Sequence, residues 1–547
     1  MSRRDRAAMP VSESAGQSSD TRRVGTREFN RRAQAVRGRV KRKRMSKMPE
    51  SGLFQRIVGA LKQTAGPLKQ IPRAAWICAL VAFLSATCWS ILTPPFEIPD
   101  EPDHFAYTQQ LAENTRLPTS SETSYSQEET LALRDLHQYQ VHLTPEAQTI
   151  STAAEQELLQ EDLAQHPSRV GGGGVGGAYA DPPLYYLIEA IPYGLASGGT
   201  LLDQLELMRL LGALMGGLTA LFVFLFIRET LPGTRWAWTV GGLGVALAPL
   251  LGYMSGAVNP DAMLTTVSAA IFYCFARAFR HGLTRRLALT IGTLTAVGTL
   301  TKINFVGLFP GIIFGMVLLT VPASRIYGRA TAYRSLGFAL IIAAAPAWVY
   351  LLANLLSNHP ALGIVSTTLK LGSAHGSIFS EISYIWEFYL PRLPGMINHF
   401  PGLSTTRRLW FDRSVGFYGW VDTTFPVWVD NLALVPAGIL ALLFIRALVL
   451  GRAALRRRLP ELLVYGAIGI GLMVLVGLSS YIDGLHEGLF AEPRYFLPLL
   501  PLVGVALALT ARGAGRRWGP TAGALIVVLF LAHNIFSQLL VVARYYV

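Results

Sequence analysis

Between Pro94 and Phe105 the chain gathers Glu97, Asp100, Glu101, Asp103 and His104 directly after its first long apolar run. Ionised carboxylates are costly in hydrocarbon, so the cluster belongs at the water interface or in a polar cavity. Its side chains offer proton acceptors, oxygen ligands for a hard cation and one imidazole. Two readings of Asp100 stand side by side. It is a chemical group, or it caps a helix with Asp103 in the manner of a capping box, Pro102 being tolerated in the first turn. Capping alone does not explain why Glu101 and His104 share that turn.

Other chemistry-bearing residues lie far away in sequence. Asp261, in Asn259-Pro260-Asp261, is a metal or acceptor ligand, or part of a turn that caps the following helix. Lys302 is a phosphate ligand or a snorkelling interfacial lysine. Arg494, beside Tyr495, offers a planar fork of donors suited to a phosphate, or an aromatic-flanked anchor. Tyr185, Tyr186, Asn259, Trp420 and Asp422 could line a substrate site, with Trp420 as a stacking floor for a sugar. His104 and His486 read more readily as hydrogen-bonding residues than as zinc ligands.

The elements that carry these residues follow from composition. The chain has 547 residues, of which 51% are hydrophobic and 15% charged. Its many apolar runs have the length needed to cross a bilayer, so this is an all-α integral membrane protein. The net charge of +14 is concentrated before position 50, ending in Lys41-Arg42-Lys43-Arg44. Residues 1–50 read as a disordered basic cytosolic tail that meets anionic lipid rather than nucleic acid. Residues 51–73 read as an interfacial amphipathic segment, and 74–547 as the polytopic domain, with outer loops 94–206 and 357–431. No cleavable signal peptide is expected. Cys78, Cys88 and Cys274 all lie in apolar runs, which argues against a disulfide framework or a cysteine metal site.

Spans are expected near 74–93, 207–227, 236–254, 262–278, 287–301, 305–321, 336–356, 432–450, 462–481, 496–511 and 521–540, about eleven in all. The segment 182–197 is short, carries Glu189 and Pro192, and is expected to lie along the outer interface. With that choice every short arginine-rich loop faces the cytoplasm, as the positive-inside rule requires. The amino terminus is then inside, and the polar candidates are extracytoplasmic. Helical segments are expected in the first outer loop, near 126–140 and 145–165.

Carboxylates for proton transfer, with cations nearby, are the parts needed for glycosyl transfer from a lipid phosphate. Mg²⁺ or Mn²⁺ could neutralise the leaving phosphate, and so could Lys or Arg without a metal. Pro95-Phe96, Pro99-Asp100-Glu101, His104-Phe105, Pro182-Pro183-Leu184-Tyr185-Tyr186, Asn259-Pro260-Asp261, Gly419-Trp420 and Arg494-Tyr495-Phe496-Leu497-Pro498 occur in this order. As a set they resemble a bacterial polytopic membrane family of unknown function (the domain of unknown function 2142 family). More remotely the chain resembles the C superfamily of membrane glycosyltransferases (GT-C), which includes protein mannosyltransferases and lipid A aminoarabinose transferases.

That resemblance implies a GT-C-like fold in the bacterial plasma membrane, with juxtamembrane helices in the long first outer loop. It implies a polyprenyl-phosphate-linked sugar donor, a cell-envelope glycan or protein acceptor, and an aspartate general base. Carried across, the base is Asp100, with Glu101 beside it. Asp103, His104 and Asp261 then serve metal or acceptor, and Lys302, Arg494 and Tyr495 the donor phosphate. The competing expectations are a flippase for a lipid-linked saccharide and a scaffold for envelope assembly. A flippase calls for polar residues or broken helices near the bilayer midplane, whereas the polar residues here fall at span ends.

Overall fold

The computed structural model describes residues 71–119, 124–142, 144, 152–171, 177–356, 378–400, 406–484 and 492–546. The expected cytosolic tail, the amphipathic segment up to residue 70 and His486 lie outside the described residues. From Arg73 onward the chain forms one compact unit. Among the described residues it is almost entirely helical, with one two-stranded hairpin pairing Phe417 with Thr424 and Tyr418 with Thr423.

Among the described residues nine helices are long and apolar enough to cross a membrane, running from Arg73–Leu92 to Gly515–Tyr545. The count is up to ten if Arg235–Ala246 and Pro249–Ser255, bent by 54°, are taken together as one broken span rather than a re-entrant loop. Pro249 disfavours helical geometry at Ala248, so the expected continuous helix over 236–254 breaks there. The expectation of about eleven depends on Arg285–Thr301, a helix of 17 residues at the lower limit for a span. The segment at 182–197 contains the 12-residue helix Leu184–Leu195. At 1.5 Å per residue it reaches only about 18 Å, too short to cross. The long loop after the first span contains Gln127–Asp135 and Ala153–Ala164, within the two expected helical segments.

Small residues allow the spans to approach closely at the end where the acidic cluster sits. A Cβ on Gly212 would come within 2.8 Å of the Ser255 and Ala257 carbonyl oxygens. One on Gly256 would meet the Ala86 carbonyl at 2.7 Å. These two glycines seat the chain at 255–258 against both neighbouring helices.

Several arginines of the short loops lie at the other end of the bundle. Arg280 and His281 pair with Glu229, Arg458 donates to the Thr230 carbonyl, and Arg446 to that of Gly513. Glu229 and Arg209 lie on the same helix, Leu201–Thr230, about 30 Å apart along its axis.

Candidate functional site

Asp100 occupies the N-cap position of helix Glu101–Asn114, with φ 65° and no side-chain cap hydrogen bond. The capping-box expectation is therefore corrected. The left-handed backbone turns the carboxylate away from the helix amides, and Oδ2 accepts instead from Arg494 Nη2 at 2.7 Å. Arg494 also pairs with Glu492, and its guanidinium lies 5.4 Å from the Tyr495 ring centroid. Its Nη1 is buried without a partner.

The Asp100 side chain keeps 42% of its surface accessible, whereas that of Arg494 keeps 5%. The enclosing protein by itself would raise the Asp100 pKa. Arg494, helped by Lys302, outweighs this and holds it below the ordinary carboxylate value. Burial pushes Glu492 the other way, upward.

Glu101, the adjacent candidate, is wholly buried and engaged elsewhere. It accepts from Arg209 Nε at 2.8 Å and Nη2 at 2.5 Å, and from the amides of Phe96 and Val258, each at 3.0 Å. Four donors saturate a carboxylate. Arg209 further donates to the Ser90, Thr93 and Pro94 carbonyls. The Glu101 and Arg209 pair thus fastens the end of the first span to the turn that presents Asp100.

Asp103 faces the loop side, accepting from the Tyr125 hydroxyl at 2.8 Å, and burial lifts its pKa to about 6. His104 faces the Asp100 side. Its Nδ1 is 2.9 Å from the Tyr186 hydroxyl, which donates to Asp181 Oδ2 at 3.3 Å. Burial drives the His104 pKa down to about 3 against the opposing pull of Asp100, so the ring is neutral. Tyr185 is fully buried beside Tyr186, edge to face.

Asn259 does cap its helix, accepting from the Asp261 amide at 2.9 Å, while Asp261 turns its carboxylate to Lys302 Nζ at 2.8 Å. Both partners are largely buried, so Lys302 is an ion-paired lysine rather than a snorkelling one. Asp100, His104, Asp261, Lys302 and Arg494 all lie within electrostatic reach of one another. Four chain segments bring them together: the 100–104 turn and the ends of the helices at 260, 301 and 493.

A divalent metal fits this arrangement poorly. Lys302 holds the place beside Asp261 that a cation would take, and Asp103 and His104 Nδ1 are bonded to tyrosines. No three His, Cys, Asp or Glu side chains among the described residues form a ligand set.

Trp420 and Asp422 lie in the tight hairpin turn where Gly419 and Val421 both have positive φ, and Val421 lines a small cavity with Pro99, Glu492 and Arg494. Trp420 Nε1 donates to the Phe96 carbonyl at 3.1 Å and its ring packs on His142 at 4.1 Å. Asp422 pairs with Arg544 at 3.3 Å, and the Tyr545 hydroxyl donates to Glu97 at 3.3 Å. Burial raises the Glu97 pKa to about 8.

The sequence reading did not single out Arg209, Glu492 or Arg544. Arg209 carried a usable signal, since it is an arginine inside an expected apolar span, and such a residue needs a partner. Glu492 and Arg544 look like interfacial charges until the fold reveals what they face.

None of the curated proteins matched the sequence. Among solved structures the chain is similar to ArnT from Cupriavidus metallidurans bound to undecaprenyl phosphate, at 13% identity and TM-score 0.40, covering 80% of this chain and 58% of that one. It is similar also to the Archaeoglobus fulgidus oligosaccharyltransferase in the apo form, at 13% identity and TM-score 0.40, covering 86% and 56%. The chain thus spans a little over half the length of these proteins. A family model described as Predicted membrane protein (DUF2142) matches residues 83–503, well over half of the sequence, and the chain belongs to that family.

Proposed function

We propose that this chain is a membrane glycosyltransferase, moving a sugar from a polyprenyl-phosphate-linked donor to an extracytoplasmic cell-envelope acceptor with Asp100 as general base. The observation that carries the reading is the Asp100 and Arg494 pair. A base and a phosphate-binding cation are already in contact, and the guanidinium has an unpartnered buried Nη1. The donor class comes from the remoter resemblance to the C superfamily.

In this reading the donor phosphate competes with Asp100 for Arg494. A guanidinium binds phosphate through two parallel hydrogen bonds, so donor binding draws Arg494 from the carboxylate and leaves Asp100 ionised and free to accept a proton. Lys302 adds positive charge on the same side. As the acceptor oxygen bonds to the anomeric carbon, its proton passes to Asp100 and the departing bond's electrons go to the phosphate. Arg494 and Lys302 stabilise that charge in a site partly shielded from water. No metal is needed for these steps. Glu101 has a positioning role, holding the turn on which Asp100 stands.

The test is transfer of radiolabelled sugar from a panel of polyprenyl-phosphate sugars by membranes containing wild-type protein or Asp100→Asn at matched expression. Transfer by the wild type, reduced about 100-fold or more in the variant, supports the reading. Translocation of the donor without transfer points to a flippase and overturns it.

A further inference from the structure

His104 stands one helical turn after Asp100, its amide bonded to the Asp100 carbonyl at 3.0 Å, and Asp100 is the foremost of the charges that act on its ring. Its ring is 3% exposed. The residues behind it are tightly fixed. Tyr107 stacks on Tyr186 with centroids 3.7 Å apart and planes within 13°. The hydroxyls of Tyr107 and Tyr350 hold the Asp181 carbonyl at 3.2 and 3.4 Å.

The Tyr186 contacts bear on where the imidazole proton sits, since the roles at His104 Nδ1 follow the tautomer. A tyrosine has one hydroxyl hydrogen, and Tyr186 gives it to the Asp181 carboxylate. Its oxygen can then only accept from His104, so the neutral ring carries its hydrogen on Nδ1. Nε2 is left with a bare lone pair, and it is buried with no partner. The charged groups that act on the ring are Asp100, Lys302, Asp261 and Arg494. Lys302 is committed to Asp261, and Arg494 to Asp100 and Glu492. Buried polar atoms are nearly always paired, and the missing partner here must be a donor.

We propose that Asp181, Tyr186 and His104 form a relay that presents His104 Nε2 to a hydroxyl of the acceptor, holding the nucleophilic oxygen beside the Asp100 carboxylate. The inference rests on the glycosyl-transfer reading and names its acceptor class. A lone pair next to a carboxylate welcomes an alcohol and repels a carboxylate or phosphate nucleophile. His104 gains no net proton, because the hydroxyl proton goes to Asp100 as the new bond forms. Tyr186 and Asp181 are positioning residues that set the tautomer.

Nitrogen NMR of the full-length protein carrying isotope-labelled histidine tests the relay without requiring transfer. The His104 signal is identified by its loss in His104→Asn. Near neutral pH it is expected as the neutral Nδ1–H form, and Tyr186→Phe should move it toward the Nε2–H form that free histidine favours. An Nε2–H ring or an imidazolium in the wild type overturns the proposal.

In the transfer assay, His104→Asn keeps a donor toward Tyr186 but lacks Nε2. It should lower kcat/KM for the acceptor about 10- to 100-fold with KM for the donor unchanged, and Tyr186→Phe should act in the same direction. A wild-type rate in His104→Asn also overturns it. Should the wild type transfer no sugar at all, the glycosyl-transfer reading fails and the tautomer alone decides whether the relay exists.

Discussion

Asp100 Oδ2 and Arg494 Nη2 lie 2.7 Å apart although 394 positions separate them in the chain. The pair joins a turn after the first span to the start of the penultimate one, and the most exposed carboxylate of the cluster to its most buried cation.

Removing the charge of Asp100 should cost activity far more than stability. In Asp100→Asn the amide oxygen still accepts from Arg494, and the open side of the residue remains hydrated. Thermal unfolding in detergent should move little at neutral pH, while transfer falls. The folded pKa of Asp100 lies below the ordinary 3.8, so its small contribution to stability is complete above about pH 4 and disappears as pH falls through the lowered value. A small melting-temperature gap between wild type and Asp100→Asn at neutral pH that closes in strong acid would show this, and a large gap at neutral pH would contradict it.

Arg209→Ala should be a folding variant rather than a kinetic one. It strands the buried Glu101 carboxylate and releases three backbone carbonyls, and breaking such a pair costs about 3–5 kcal/mol. The measurement is the yield of folded protein together with its unfolding temperature. Normal folding with selective loss of transfer would contradict the fastening role given to this pair.

Glu97 gives the opposite pH dependence to Asp100. Between its ordinary value of 4.5 and about 8 the folded chain holds a proton that the unfolded chain has released. Stability therefore falls as pH rises through that window. Glu97→Gln should match the wild type at about pH 5 and unfold at a higher temperature than it at about pH 9. A wild type that gains stability over the same range would show that Glu97 is ionised in the fold.

The orientation is open to direct labelling. A cysteine at position 457, in the arginine-rich loop, should resist a membrane-impermeant thiol reagent added from outside, and one at position 412 should react. The reverse pattern would invert the protein and put the Asp100 cluster in the cytoplasm.

Much of the site was legible in the sequence because water and hydrocarbon leave little freedom. Asp100 and His104 had to avoid the bilayer interior, and Asn259 before Pro260 is a local capping signal that the fold uses. The roles of neighbouring residues were less legible. Asp100, Glu101 and Asp103 look alike as carboxylates, yet one faces Arg494, one Arg209 and one Tyr125. Partners more than a hundred residues away made two of those choices, and nothing local to the turn encodes them.

The sequence by itself determined that this is a multispan helical membrane protein with a polar cluster after its first span. Apolar run length and the energetic cost of buried charge are properties of short segments. Only the tertiary structure decided that Lys302 meets Asp261, that Arg494 holds Asp100, and that Tyr186 and Asp181 stand behind His104. Those contacts depend on how closely the helices pack at Gly212 and Gly256 and on where a bent helix returns the chain, and such distances arise only when distant segments share one core.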